Sequence, residues 1–330
     1  MDNKDRISQN KRNDELESVL HLLNEALADD EQDLTENFEK PRYPVFFIVG
    51  NARSGTTLLY QWLASTGLFA YPSNIISRFY KAPYVGALIH KVFVHYDKFR
   101  ELLGGHELTF ESTLGKTKGG VSPHEFWYFW RRFFDFDEIQ KLSKKDLSQV
   151  DSESFVKELA ALEGAFDKPL LLKGMILNWN LEYLKQILTN AVFIHLQRDV
   201  IYNMHSLYTA RKKFFGDINK WYSFKPPEYA FLKNLNVYQQ LAGQVKYTNR
   251  AIVEGLEAAQ GDTISINYED FCANPRQLFL RIRELLDRKG YKIEQEYQGP
   301  NVIELRNTIT DSKFDISKAK GAIKSLTVTE

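Results

Sequence analysis

Residues 44–57, PVFFIVGNARSGTT, constrain this chain more than any other stretch. The short apolar run over 44–49 stops at a glycine, the pattern of a strand covered on both faces in a parallel sheet. Beyond it the period changes, and Leu58, Leu59, Trp62 and Leu63 fall on one face of a helix that starts near Thr56. The unit is strand, glycine loop, helix. Gly50 and Gly55 fit the spacing G-x-x-x-x-G, a loop whose backbone N–H groups and following helix N-terminus cradle a phosphate. The next position departs from the NTPase pattern. Thr56 stands where the lysine that reaches the outer phosphates belongs, and the cation, Arg53, lies inside the loop. The expected ligand therefore places one phosphate here rather than a Mg²⁺-bound triphosphate. An ordinary tight turn is the alternative.

The rest of the chain extends this pattern. Apolar runs at 169–173, 191–196 and 263–267 read as further strands, separated by helical periodicity over 179–188 and about 228–260. A last helix is opened by Pro275. Strands alternating with helices predict an α/β fold with a central parallel sheet covered on both faces. Residues 67–168 are poorer in periodicity and rich in aromatics, as in PHEFWYFW at 123–130, and read as an inserted set of helices and loops. Phe126, Trp127, Phe129, Trp130, Phe133 and Phe134 are expected to pack this insertion onto the sheet.

Charge narrows the functional classes. The 330 residues carry 43 basic and 43 acidic side chains, but residues 1–40 hold 12 acidic against 5 basic, so a −7 leader offsets a +7 body. Leu16, Leu20, Leu23 and Leu27 make that leader partly helical, a surface helix or frayed segment on the ordinary reading and a partner-binding helix, a homodimer's included, on the other. The expected division is a leader at 1–40 and a single domain at 41–330. Neutral net charge argues against general nucleic-acid binding. The single cysteine, Cys272, excludes a disulfide framework and multi-cysteine metal sites. No membrane span or signal peptide is visible, so a cytoplasmic protein is expected.

A second anion site follows the strand at 191–196. Arg198 at the strand end offers a planar fork of donors, and Ser206, about two helical turns on, offers a hydroxyl. A surface ion pair of Arg198 with Asp199 is the ordinary alternative. Both candidate sites lie at carboxyl ends of strands, where doubly wound sheets bind ligands.

The segment VGNARSGTTLL at 49–59 resembles the 5′-phosphosulfate loop of sulfotransferases. Similarly, FIHLQRD at 193–199 with Ser206 resembles their 3′-phosphate motif, and YED at 268–270 with Asn274 and Pro275 is similar to a segment of the bacterial and Golgi-type members. The likeness runs from about 44 to 288. It implies a P-loop-like three-layer αβα fold and transfer of a sulfuryl group from 3′-phosphoadenosine 5′-phosphosulfate (PAPS) to a hydroxyl, without a metal. It also implies that Arg53 and the N–H groups of Ser54, Gly55, Thr56 and Thr57 hold the 5′-phosphate, that Arg198 and Ser206 hold the 3′-phosphate, and that Lys173 lies near the transferred group.

The general base departs from the family pattern. No aspartate or glutamate occurs between Gly67 and Tyr96, whose only imidazoles are His90 and His95, and the position two beyond Lys173 is Met175 rather than histidine. His124 and Glu125 are the first candidates, with His106 and Glu111 in reserve; a helix cap or surface pair is the alternative for the first two. A carbohydrate or glycolipid hydroxyl is the expected acceptor. Arg131, Arg132 and Arg211 to Lys213 are weighed as contacts for an acidic polymer against a solvated face. Two other readings stay open: a P-loop kinase or NTPase, and a non-catalytic relative that only binds the nucleotide.

Overall fold

The computed structural model describes residues 5–102 and 107–327. In chain order its first half contains helix α1 (Asp14–Leu34), strand β1 (Val45–Gly50), helices α2 (Thr56–Ser65) and α3 (Pro83–Val94), the short hairpin strands β2 (Ser112–Thr113) and β3 (Lys116–Thr117), and helices α4 (Trp127–Phe133), α5 (Lys144–Ser148) and α6 (Ser152–Phe166). The second half contains β4 (Leu171–Lys173), α7 (Leu181–Ile187), β5 (Ala191–Gln197), α8 (Val200–Phe215), α9 (Tyr229–Leu232), α10 (Val237–Leu256), β6 (Thr263–Asn267), α11 (Tyr268–Ala273), α12 (Pro275–Arg288) and α13 (Ile316–Thr327). Strands β4, β1, β5 and β6, in that spatial order, form one parallel sheet.

The alternation of β1 builds the layers. Val45, Phe47 and Val49 join a core with Phe129, Trp130, Phe155 and Leu181 on one side of the sheet. Phe46 and Ile48 join Leu59, Trp62, Phe271 and Leu278 on the other. Every β1 residue is buried, because helices cover both faces. The predicted α/β fold with a central parallel sheet is what the chain adopts. The aromatic run supplies much of the first core: Phe126, Phe129, Trp130 and Phe134 are almost wholly buried.

Two features differ from the periodicity. The stretch read as one helix over about 228–260 breaks after Lys233, because Asn236 caps a new helix by accepting from the Gln239 N–H. Arg132 and Arg211 are not free to meet a polymer. Arg132 grips Glu158 through two bonds of 2.7 Å, and Arg211 is fully buried, bonded to Gln240 and set over the Trp221 ring.

Helix α1 docks on the body. Asn24 donates to the Arg78 carbonyl and accepts from the Lys81 N–H, and Glu31 accepts from the N–H groups of Tyr84 and Val85. Those two donors belong to the first turn of α3, where they have no helical partner and the helix dipole favours an anion. Burial nevertheless pushes the Glu31 carboxyl up to about 7. Helix α13 packs on α8 and α10, and residues 289–315 reach it as irregular chain. No helix among the described residues is long and apolar enough to cross a membrane.

Burial holds His90 and His195 at about 4, down from 6.5. Between those values the unfolded chain binds more protons than the folded one. Their contribution to stability is thus complete above 6.5 and is lost as pH falls towards 4, by up to about 1.4 kcal/mol per pH unit for each imidazole. Glu31 has the opposite sign, since its raised carboxyl favours folding as pH falls. Urea unfolding at neutral and mildly acid pH should show a net loss towards acid, and His195→Leu should lose less than the parent across the same interval.

Candidate active site

The loop after β1 is held from several sides. A Cβ on Gly50 would lie 2.6 Å from the Leu196 carbonyl oxygen of β5, so only glycine permits this approach. Asn178 donates to the Gly50 carbonyl at 2.9 Å, Asn203 to the Ala52 carbonyl at 2.8 Å, and Asn51 to Asn249 at 2.6 Å. Arg53 and Gly55 both take positive φ, 66° and 98°, flanking the buried Ser54. Left-handed residues in such a turn direct successive N–H groups into a concavity that suits an anion. The ring of Tyr268 lies against Gly55, where a Cβ would come within 2.4 Å of it. Thr56 and Thr57 then open α2 with the unpaired N–H groups of a helix start.

Arg198 reaches this loop from the end of β5. It donates to the Arg53 carbonyl at 3.0 Å, to the Asn307 side chain at 2.9 Å and to the Arg306 carbonyl at 2.6 Å, and lies 4.8 Å over the Tyr268 ring. Burial lowers its pKa, yet a guanidinium stays charged. Arg53 donates to the Ser206 hydroxyl at 3.3 Å. The fold thus gathers Arg53, Arg198 and Ser206, which lie 153 positions apart at the extremes. Among the described residues neither arginine makes an ion pair with a carboxylate.

Lys173, at the end of β4, is almost fully buried and donates to the Thr57 hydroxyl at 2.8 Å and to the Glu125 carboxylate. Glu125 comes from the insertion, just before Phe126, which adopts φ 57° and starts α4. Gly115 in the β2–β3 turn completes the enclosure, as a Cβ there would sit 3.3 Å from the Glu125 oxygen. Together these groups line a cleft of about 1170 Å³ that residues 300–310 of the irregular C-terminal chain help to wall.

The two neighbours His124 and Glu125 part company. Glu125 lines the cleft; His124 does not, but faces an adjoining cavity. Its Nδ1 accepts the Phe126 N–H at 2.9 Å, and burial pushes the ring down to about 4, so it is neutral near pH 7. Glu111 is exposed and paired with Lys118 at 2.9 Å. His106 lies outside the described residues. His90 is bonded to the Ser73 hydroxyl at 2.9 Å. Met175, two residues beyond Lys173, receives the Thr56 hydroxyl through its sulfur at 3.1 Å.

Asn307, Tyr268 and Glu269 were not anticipated as site residues. Glu269 accepts from Asn307 at 2.6 Å and from the Asp199 N–H at 3.2 Å, so it fixes the segment that holds Arg198. Tyr268 and Glu269 stood in a quoted motif without a role, and Asn307 lies in chain with no periodicity at all.

The family model described as "Sulfotransferase family" matches residues 44–291. The chain belongs to the sulfotransferase family. Among solved structures, sulfotransferase STF1 from Mycobacterium tuberculosis is similar at 13% identity and a TM-score of 0.51, covering 92% of this chain and 83% of that one. Sulfotransferase STF9 from Mycobacterium avium matches at 12% identity and a TM-score of 0.45, over 94% and 81% of the two chains. The sulfotransferase domain of the Synechococcus olefin synthase matches at 19% identity and a TM-score of 0.39, over 87% and 89%. No curated protein matches the sequence. The likeness to STF1 supports the P-loop-like fold of sulfotransferases. Among the described residues no group of His, Cys, Asp and Glu could hold a metal ion.

Gly55→Ala tests the loop. A Cβ at φ 98° meets both the left-handed penalty and the Tyr268 ring, so stability should fall by roughly 2–4 kcal/mol. Adding Tyr268→Ala should recover part of that loss, and strictly additive effects in denaturant unfolding would refute the contact.

Proposed function

We propose that this sulfotransferase moves a sulfuryl group from PAPS to an acceptor hydroxyl on a carbohydrate or glycolipid. The observation that carries the reading is the convergence of Glu125, from the insertion, and Thr57, at the start of the helix that follows the loop, on the buried Lys173. The same cleft holds Arg53 and Arg198 without carboxylate partners, which suits a ligand with two separate phosphates. When bound, PAPS supplies the sulfuryl group and a stable bisphosphate leaving group.

The chain's own groups divide the work. Arg53 and the N–H groups of Ser54, Gly55, Thr56 and Thr57 hold the 5′-phosphate; Arg198 and Ser206 hold the 3′-phosphate. We assign the base to Glu125 rather than His124, since Glu125 lines the cleft beside Lys173 while His124 lies outside it. Glu125 accepts the hydroxyl proton as the acceptor oxygen bonds to sulfur. Arg53 and the loop N–H groups take up the charge left on the 5′-phosphate oxygen as the old S–O bond parts in an in-line displacement. Lys173 sits where charge spreads over the oxygens of the transferring group.

Adenosine 3′,5′-bisphosphate should bind in calorimetry with EDTA present. Arg53→Ala or Arg198→Ala should weaken it about 10- to 100-fold, the worth of a charge-assisted bond. Tighter binding of Mg·ATP than of the bisphosphate would transfer the chain to the kinase class. In turnover with PAPS, Glu125→Gln should lower kcat by about 10²–10⁴ while bisphosphate affinity holds. Turnover at the parental rate would remove Glu125 from the base role, and no turnover by the parent across an acceptor panel would leave a binding protein only.

A further inference from the structure

A second cavity, of about 1140 Å³, opens on the far side of Glu125. It adjoins the cleft, since Gly115, Glu125 and Trp127 line both. Its walls are apolar: Leu23 of α1, Ile75, Phe79, and Ile89, Val92 and Phe93 of α3. Asn74 and one ring nitrogen of His124 are already engaged. The Asn74 amide donates to the Thr117 carbonyl and hydroxyl and to the Gly119 carbonyl, at 3.3, 3.1 and 2.7 Å. His124 spends Nδ1 on the Phe126 N–H. Such walls give water few partners and favour an apolar guest. Ligand pockets commonly measure about 300–1,000 Å³, so the space suits an extended apolar body. Two exposed cations, Arg78 and Lys116, keep the lining from being wholly apolar.

We propose that this cavity holds the aliphatic chain of the acceptor, so that the sulfated hydroxyl belongs to an amphiphile and is carried to Glu125 where cavity and cleft join. This rests on the sulfotransferase reading above and narrows it. Within the carbohydrate or glycolipid class, the acceptor is the lipid-bearing kind, and a free sugar or acidic polysaccharide lacks the part that fills the walls. The presence of Glu125 in both linings is what selects this occupant over a helix of another protein, which would leave Glu125 without a hydroxyl.

The probes are n-hexyl, n-octyl and n-decyl β-D-glucosides, each below its micelle concentration, titrated calorimetrically into the full chain with and without adenosine 3′,5′-bisphosphate. Affinity should rise about fourfold per methylene, from about 0.8 kcal/mol for each one buried. Leu88→Trp and Val92→Trp lie at lining positions that are 37% and 50% exposed, so the core does not depend on them. Each should weaken octyl glucoside at least tenfold and flatten the series, with bisphosphate affinity unchanged. A flat series in the parent overturns the proposal, and so does a slope that neither tryptophan alters. Self-association through this face, seen by light scattering together with a flat series, overturns it in favour of a dimer contact. The two readings fail separately: a chain-length slope without bisphosphate binding upholds the cavity and removes the donor, while bisphosphate binding with a flat series does the reverse.

Discussion

The site depends on the pairing of β1 with β5, in register from Val45 opposite Ala191 to Gly50 opposite Leu196. A slip of one residue would turn one strand's side chains to the other face and exchange them between the two cores. With this register both strands end level, so the loop carrying Arg53 and the turn carrying Arg198 leave the sheet side by side. The absent side chain of Gly50 lets the strands finish that close. Tyr268, at the end of β6, then fills the space between Gly55 and the Arg198 guanidinium. Three strand ends thus produce one concave, cationic surface from residues far apart in sequence.

Lys173 and Glu125 show how burial links stability with chemistry. A lysine with a side chain only 3% exposed needs a partner, since an unpaired ammonium in the interior is costly. Glu125 supplies the charge and Thr57 a further acceptor. The same arrangement sets the Glu125 carboxylate in the wall of the cleft. In the proposed function Glu125 is also the base, so structural and chemical demands on it coincide and a substitution there disturbs both.

Much of this was legible in the sequence because local patterns carried it. Four apolar runs announced the sheet, two glycines at fixed spacing announced the loop, and Arg198 followed a strand as ligand-binding residues do. The remainder arises from tertiary contact. Nothing local distinguishes His124 from Glu125; the positive φ of Phe126 and the buried Lys173 do. Arg211 reads as part of a basic surface run until the fold buries it against Trp221 and Gln240. Asn307 sits in chain without periodicity, and its role exists only because that chain passes Arg198. The break between α9 and α10 turned on a single cap, Asn236, inside an otherwise helical pattern.

Helix α1 gives the molecule a division of labour. Its Glu31 caps α3, and its Leu23 stands beside α3 in the wall of the cavity behind Glu125. In the proposed function the donor half of the active site is made by strand ends, whose spacing the sheet dictates. The acceptor half is made by a peripheral helix, the insertion and a small hairpin, which, among the described residues, the sheet's hydrogen bonds reach only where Ala70 pairs with the start of β4. Sequence drift in those peripheral parts can therefore reshape what is sulfated while the machinery for the donor stays as it is.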